Sequence, residues 1–329
     1  MQTTGFINKE KTNPAGIWSL GLLQMDFFYR NKPWYAGQFV RKIIPKITIP
    51  DEAVLFFQTI LNMQKSVLMQ VLVRNIDKTF RNIEIQLPQT STGEIDFAFM
   101  EFFICEIKKS HLNKLKAFLL ATGLNDYRLT PIDEQALDNF KSMRWQEFKI
   151  DDLFEKIDTK KLSYKAKNLP KQPTENYIIP CLTSSFMNQG LNYYAPREGA
   201  TILNNVISIP SNSDVYRAYY QSRDFTVLSD AYAIRWKDET PNLTPKQYLF
   251  MVTCINQVTN LPIYSYKNKL GGWNVVKEKY IALPVTADGK LDLKAMEQLV
   301  GAIQKVVIAD VAQYTTQQLD AARKVTSQK

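Results

Sequence analysis

"IQLPQTSTGEIDFAFMEFFICEIKK" (Ile85–Lys109) and "IALPVTADGKLDLKAMEQLVGAIQK" (Ile281–Lys305) are one pattern written twice. Aligned without a gap, they coincide at Ile85 and Ile281, Leu87 and Leu283, Pro88 and Pro284, Thr90 and Thr286, and Gly93 and Gly289. They coincide again at Asp96 and Asp292, Met100 and Met296, Glu101 and Glu297, Ile107 and Ile303, and Lys109 and Lys305. Each copy reads as a strand ending in Leu-Pro, a turn closed by glycine, an aspartate able to cap orphan amides, and a long amphipathic helix.

The likeness continues upstream. "PDEAVLFFQTILN" matches "PKQYLFMVTCIN", "FFYRNKPWYAGQFVRKI" shadows "AYYQSRDFTVLSDAYAI", and "GIWSLG" around Ser19 parallels "NVISIP" around Ser208. Solenoid repeats run about 20 to 50 residues, so a unit this long indicates a duplicated domain. A chain of 329 residues also exceeds the size at which one hydrophobic core stops growing. The predicted fold class is mixed α/β (α+β): two domains, each a small mixed sheet with helices, joined by long antiparallel coiled-coil-like helices. The expected segments are residues 1–92, 93–142, 143–288 and 289–329. The long helices begin at Asp96 and Asp292 and would span roughly 42 and 52 Å at about 1.5 Å per residue.

In the second helix Met296, Val300, Ile303, Val307, Val311 and Tyr314 recur at three- and four-residue steps, and in the first Phe99, Phe103, Ile107, Leu115 and Leu119 form a similar stripe. Either the stripes pair with each other or each packs on its own domain. One asymmetry stands out. The second unit opens with "MRWQEFKIDDLFEKIDTKKLSYKAKNLPKQPTENYIIPCLTSS", whereas the first begins within the matched region, so its opening segment is expected to be missing.

Apolar residues at 45% and charged residues at 22% describe an ordinary globular chain. The charge of +9 favours polyanionic partners, nucleic acid first. Three scattered cysteines and the lone His111 cannot assemble a thiol-imidazole zinc site, and they fit a reducing compartment. The N-terminus lacks signal-peptide order and the longest apolar run is broken by Glu101, so a cytoplasmic chain with no membrane partner is expected. Walker, dinucleotide-binding and nucleophile-elbow spacings are absent. So is the Asn/Asp-Pro-Pro-aromatic motif of amino-methylating enzymes. The acids of "IDDLFEKIDTKK" are a weak metal-site candidate, and no catalytic or metal-binding residue is expected.

"WQEFKIDDLFEKI", the "IPCLTSS" strand, "KEKYIALP" and the helix led by "LDLKAMEQL" together resemble the specificity subunits of type I restriction-modification systems and of related fused systems. The resemblance covers nearly the whole chain. It implies two target-recognition domains, each reading half of a split duplex DNA target, with paired helices as a ruler and as a docking surface for methyltransferase subunits. It further implies a restriction subunit as partner, and S-adenosylmethionine, ATP and magnesium on the partner subunits, with no cofactor in this chain.

The resemblance assigns no universal base-contacting set, so candidates follow from chemistry. Amide and guanidinium groups read base edges, while lysines and hydroxyls take phosphates. "NSDVYRAYYQSR" concentrates Asn212, Tyr216, Arg217, Tyr219, Gln221 and Arg223; alternatively, its tyrosines pack in a core and its arginines are solvated. Ser184 and Ser185 follow the "IPCL" strand. "YSYKNKLGGW" offers Lys267, Lys269 and the permissive Gly271, and "DTKK" offers Lys160 and Lys161. By correspondence the first domain supplies Arg30, Lys32, Tyr35 and Arg41.

Overall fold

The computed structural model describes residues 12–238 and 242–326, with 321–326 by backbone alone. The chain divides into two compact units: residues 1–122 with 313–329, and residues 123–312.

In the first unit, β1 (Ile17–Gly21) lies between antiparallel β2 (Asp26–Arg30) and β3 (Val40–Ile43). The sequence of β1, IWSLG, is buried along nearly its whole length, as a central strand requires. Helices α1 (Val54–Met63), α2 (Lys65–Leu68) and α3 (Ile76–Arg81) follow, then α4 (Phe97–Ala121). Trp18, Leu20, Phe27, Phe57, Leu68, Ile76 and Met100 form the core, each large side chain contributing about 1.5–3 kcal/mol by burial.

The second unit is larger. After α5 (Pro131–Asn139) come β4 (Trp145–Lys149), α6 (Ile150–Leu153), β5 (Phe154–Lys156), β6 (Ile179–Leu182) and β7 (Leu191–Ala195). These lead to β8 (Val206–Pro210), β9 (Tyr219–Gln221), β10 (Thr226–Val227) and β11 (Ala231–Trp236). The unit continues through α7 (Pro245–Thr259), α8 (Trp273–Val276) and β12 (Tyr280–Pro284) into α9 (Leu293–Thr326). The sheets are β5-β11-β8-β9, β10-β6-β7 and the β12-β4 pair. Helix α7 starts where the sequence dictates, with Thr244 and Gln247 forming a reciprocal capping box before Pro245. The main core gathers Ile150, Phe154, Ile207, Ile209, Ile234, Met251, Ile255 and Met296.

The duplication extends to individual hydrogen bonds. Asp96 Oδ1 accepts from Phe99 N at 2.8 Å, and Asp292 Oδ1 from Ala295 N at 2.9 Å. Gly93 and Gly289, at φ 83° and 81°, close the same turn, which a side chain would strain. Asn62 brackets the backbone of Phe27, accepting from its N–H at 2.8 Å and donating to its carbonyl at 3.2 Å. Asn256 does the same to Ala218 at 2.7 and 3.1 Å. Ser19 pairs across the sheet with Phe28 as Ser208 does with Tyr219, so β1, β2 and β3 correspond to β8, β9 and β11.

Three expectations need correction. Among the described residues the Leu-Pro strand exists only as β12, and Ile85–Pro88 has no ladder partner and is not a strand. Phe80 and Trp273 are corresponding positions of the two repeats that the pattern would place in strands, but both lie in helices (α3 and α8), because an apolar run that short does not distinguish the two periods. The stripes on the long helices are not buried seams. Met296 is buried and Val300 and Leu115 are half-buried, but Phe99, Phe103, Ile107, Ile303, Val307 and Val311 are exposed, Val307 by 71%. Leu119, the last member of the expected α4 stripe, is buried, and the remaining burial falls beside the expected residues, on Met100 of α4 and on Leu299, Ala302, Ala312 and Leu319 of α9.

Lys305, in the repeat position of Lys109, differs from it in partner. Lys109 meets Glu106 on its own helix at 3.3 Å, whereas Lys305 Nζ donates to Asp133 Oδ2 of α5 at 2.8 Å. That hydrogen bond, with those from Thr130, holds the Asp133 carboxyl down at about 2. A depressed carboxylate stabilises the fold above its ordinary value of 3.8, and the contribution is lost as pH falls through about 2. Lys305→Met is therefore expected to lower unfolding free energy by up to about 1 kcal/mol at neutral pH, the pair being partly exposed. The variant and parent should converge near pH 2, as urea titrations across pH would reveal.

Candidate nucleic-acid interface

The buried strand β8 supports β9 at the sheet edge, and alternation sends the β9 side chains to opposite faces. On one face Tyr220 stacks on Tyr248 with ring centroids 5.1 Å apart and donates its hydroxyl to Asn205 Oδ1 at 2.8 Å. Burial pushes the Tyr220 phenol up from its ordinary value. Tyr219 and Gln221 occupy the other face and hold a neighbouring loop. Tyr219 Oη donates to the Phe186 carbonyl at 3.2 Å, and Gln221 Nε2 donates to the Gln189 carbonyl at 3.3 Å and to Ser208 Oγ at 2.9 Å.

The loop so held runs from Thr183 to Gly190. Thr183 Oγ1 accepts from Ser185 N at 3.2 Å and from Asn192 Nδ2 at 2.8 Å, and Ser185 Oγ accepts from Met187 N at 3.1 Å. Ser184 and Ser185 are half-buried, and Ser185 acts within the turn. The tip is exposed, Phe186 by 51% and Met187 by 60%. Asn188 and Gln189 sit consecutively in the left-handed region at φ 47° and 55°, a conformation that costs roughly 1–2 kcal/mol per residue. Bracing by β9 offsets that strain and presents two amide side chains outward. Beside this platform Arg217 and Arg223 are exposed and, among the described residues, carry no side-chain hydrogen bond or ion pair. Guanidinium and amide groups on one rigid edge suit the base edges and phosphates of a duplex.

Other candidates occupy different surroundings. Tyr216 is 1% exposed, with its ring against Tyr264, so it is a core residue and presents nothing to a ligand. The Asn212 side-chain oxygen is buried without a protein partner. Gln221 commits its amide hydrogens to the fold, as described. Lys267 is exposed, and Lys269 Nζ lies 4.9 Å from the Tyr266 ring centroid. At Gly271, φ 98°, a Cβ would come within 3.0 Å of Val275, so the turn needs glycine. Lys160 and Lys161 line a cleft of about 350 Å³ with Lys156, Tyr164, Tyr232 and Trp273.

In the first unit Arg30 occupies the place of Gln221. Its Nε donates to Ser19 Oγ at 2.8 Å, and its guanidinium lies 5.5 Å from the Phe28 and Trp34 ring centroids. Lys32 and Tyr35 are exposed, while Arg41 is paired with Asp77 at 3.1 Å. Sequence reasoning missed Phe186–Gln189 and the cleft residues Lys156 and Tyr164. Asn188 was the available signal, since asparagine tolerates the left-handed region.

Because Gln221 braces the loop, Gln221→Ala is expected to lower stability by about 1–2 kcal/mol and to raise proteolysis within residues 183–190. A denaturant titration with limited proteolysis would measure both. Unchanged cleavage of the loop would remove Gln221 from this role.

A duplicated recognition module, its two sheets built alike and edged with different polar side chains, is the class of protein that this fold and site define. The chain belongs to the type I restriction modification DNA specificity domain family, whose model matches residues 2–117 and 143–313. It is a specificity protein of restriction-modification systems, and its part there is DNA recognition. It is similar to the Type II restriction enzyme BgcI specificity subunit S.BcgI of Heyndrickxia coagulans, 24% identical over 281 residues that cover 85% of this chain and 75% of that protein. Among solved structures it is similar to the type I restriction-modification S subunit from M. genitalium, at 10% identity and a TM-score of 0.48 over 98% of this chain and 85% of that one. It is also similar to the HsdS subunit from Thermoanaerobacter tengcongensis, at 9% identity and a TM-score of 0.33 over 95% of this chain and 76% of that one. Among the described residues there is no cluster of metal-ligating side chains, and no helix is long and apolar enough to cross a membrane.

Proposed function

We propose that the chain is a non-catalytic subunit that binds a bipartite duplex target, one half per unit, and positions methyltransferase and restriction subunits over it. The observation that carries this reading is the shared bracket. Ser19 and Ser208 occupy the same strand position, yet Ser19 accepts from Arg30 and Ser208 from Gln221. Corresponding strands edged with different side chains suit two half-sites of different sequence. In the second unit the Phe186–Gln189 tip, Arg217 and Arg223 meet the duplex, with Lys160, Lys161, Lys267 and Lys269 on its phosphates. The exposed apolar residues Phe99, Phe103 and Ile107 of α4 and Ile303, Val307 and Val311 of α9 are contacts for the methyltransferase subunit. S-adenosylmethionine, ATP and magnesium belong to the partner subunits in this reading, and the complex works in the cytoplasm.

The test is a binding selection from randomised duplexes at moderate salt, with and without the cognate methyltransferase subunit. A split motif with a constant gap is expected. A single half-site would restrict recognition to one unit, and absence of any motif would reduce the chain to a scaffold for its partners.

A further inference from the structure

A cleft in the second unit opens where the chain leaving β5, the turn between β10 and β11, and the start of α8 come together. Its volume of about 350 Å³ lies at the lower end of the range for small-molecule sites. That is room for one nucleotide and too little for a duplex.

The lining is one-sided in charge. Lys156, Lys160 and Lys161 contribute ammonium groups, and among the described residues no aspartate or glutamate lines the cleft and no ion pair engages these lysines. Asp158 and Asp230, adjacent to lining residues in sequence, are exposed and take no part in the wall. Thr159, Ser211 and Ser229 add hydroxyls, and lysines with hydroxyls are the groups that hold phosphate. The half-buried Tyr164 and Trp273 supply aromatic rings, which hold bases by stacking. Tyr232 provides an independent sign. It lines the cleft yet is only 5% exposed, and its hydroxyl is buried with no hydrogen-bond partner among the described residues. Burial pushes its phenol up, so it stays a neutral O–H donor. Buried donors are normally satisfied, and an acceptor on a ligand would satisfy this one.

We propose that this cleft binds a single nucleotide, its phosphate on Lys156, Lys160 and Lys161 and its base against Trp273 and Tyr164. A DNA strand with one nucleotide unstacked and a nucleotide free in solution present the same chemistry to it. The site goes beyond the DNA-binding reading, in which Lys160 and Lys161 are outer contacts to a duplex backbone, and it stands without that reading. Gly272 is the place to plug the cleft. It is a lining residue, its φ of -90° suits any side chain, and an added Cβ meets nothing within 4 Å. Ser229 lines the cleft and is exposed, so Ser229→Glu sets a carboxylate against the lysines without disturbing the core.

The full chain is titrated calorimetrically with deoxyadenosine monophosphate and, in parallel, with inorganic phosphate and with deoxyadenosine. The monophosphate is expected to bind at least about tenfold tighter than either part alone. Lys160→Ala combined with Lys161→Ala should weaken it at least about tenfold. Gly272→Leu and Ser229→Glu should each abolish binding with the thermal midpoint unchanged, and Ser229→Glu decides alone if Gly272→Leu does not fold. A duplex carrying a fluorescent adenine analogue at successive positions tells the two sources apart. Brightening on binding that is lost in Ser229→Glu assigns the cleft to an unstacked nucleotide of DNA, and monophosphate binding without brightening at any position assigns it to a soluble nucleotide; either upholds the site. A chain that binds the monophosphate but no duplex keeps the cleft and loses the DNA-binding reading. Monophosphate binding no tighter than that of phosphate, or unchanged in Ser229→Glu, would overturn the proposal.

Discussion

Replacing Arg217 and Arg223 together by alanine is expected to lower affinity for the preferred duplex by about two orders of magnitude without loss of fold. Both guanidinium groups are exposed and neither holds another side chain, so their removal leaves no buried group unpaired. A bidentate contact to guanine contributes about 1–3 kcal/mol of discrimination, and each phosphate contact changes the slope of log affinity against log salt by about 0.9. Anisotropy titrations at several salt concentrations separate the two. Base contacts would relax preference at individual positions, and phosphate contacts would flatten the slope while leaving preference intact. Wild-type affinity and slope in the double variant would exclude this edge as the interface.

Asn256→Ala should act in the opposite way, on stability rather than on recognition. Its side chain satisfies both the N–H and the carbonyl of Ala218, a residue with no exposure, at 2.7 and 3.1 Å. Leaving buried backbone groups unpaired costs about 1–3 kcal/mol each, so a loss of about 2–4 kcal/mol is expected from the shift of the urea midpoint. Asn62→Ala should destabilise the first unit comparably through Phe27, which is likewise fully buried. A loss below about 1 kcal/mol at either position would show that water replaces the amide there.

Much of the architecture was legible before any coordinates. Asp96 and Asp292 announced helix starts, and the structure begins α4 and α9 one residue later. "PDEAVLFFQTILN" matched "PKQYLFMVTCIN", and the two stretches form the corresponding helices α1 and α7, while Ser19 aligned with Ser208 ahead of any knowledge that β1 and β8 are central strands. Local signals such as caps, glycine turns and periodicity are carried by residues near in sequence, so they can be read directly. The candidate interface was less legible. Tyr216 and Tyr219 are three residues apart in one polar, aromatic run, but the first is in the core and the second holds a loop at Phe186, 33 residues away.

The amino-acid sequence by itself determined the duplication, the mixed α/β class and the starts of the long helices. Tertiary structure alone decided which polar groups of "NSDVYRAYYQSR" remain available, because that depends on partners distant in sequence. Gln221 is withdrawn from the surface by Ser208 and Gln189, and Arg217 and Arg223 are left to it because no acceptor among the described residues folds back to meet them. It also decided that Glu84–Pro88, built from the same pattern as β12, is not a strand. A strand exists only through hydrogen bonds to a neighbour, and among the described residues that neighbour is present once, as β4.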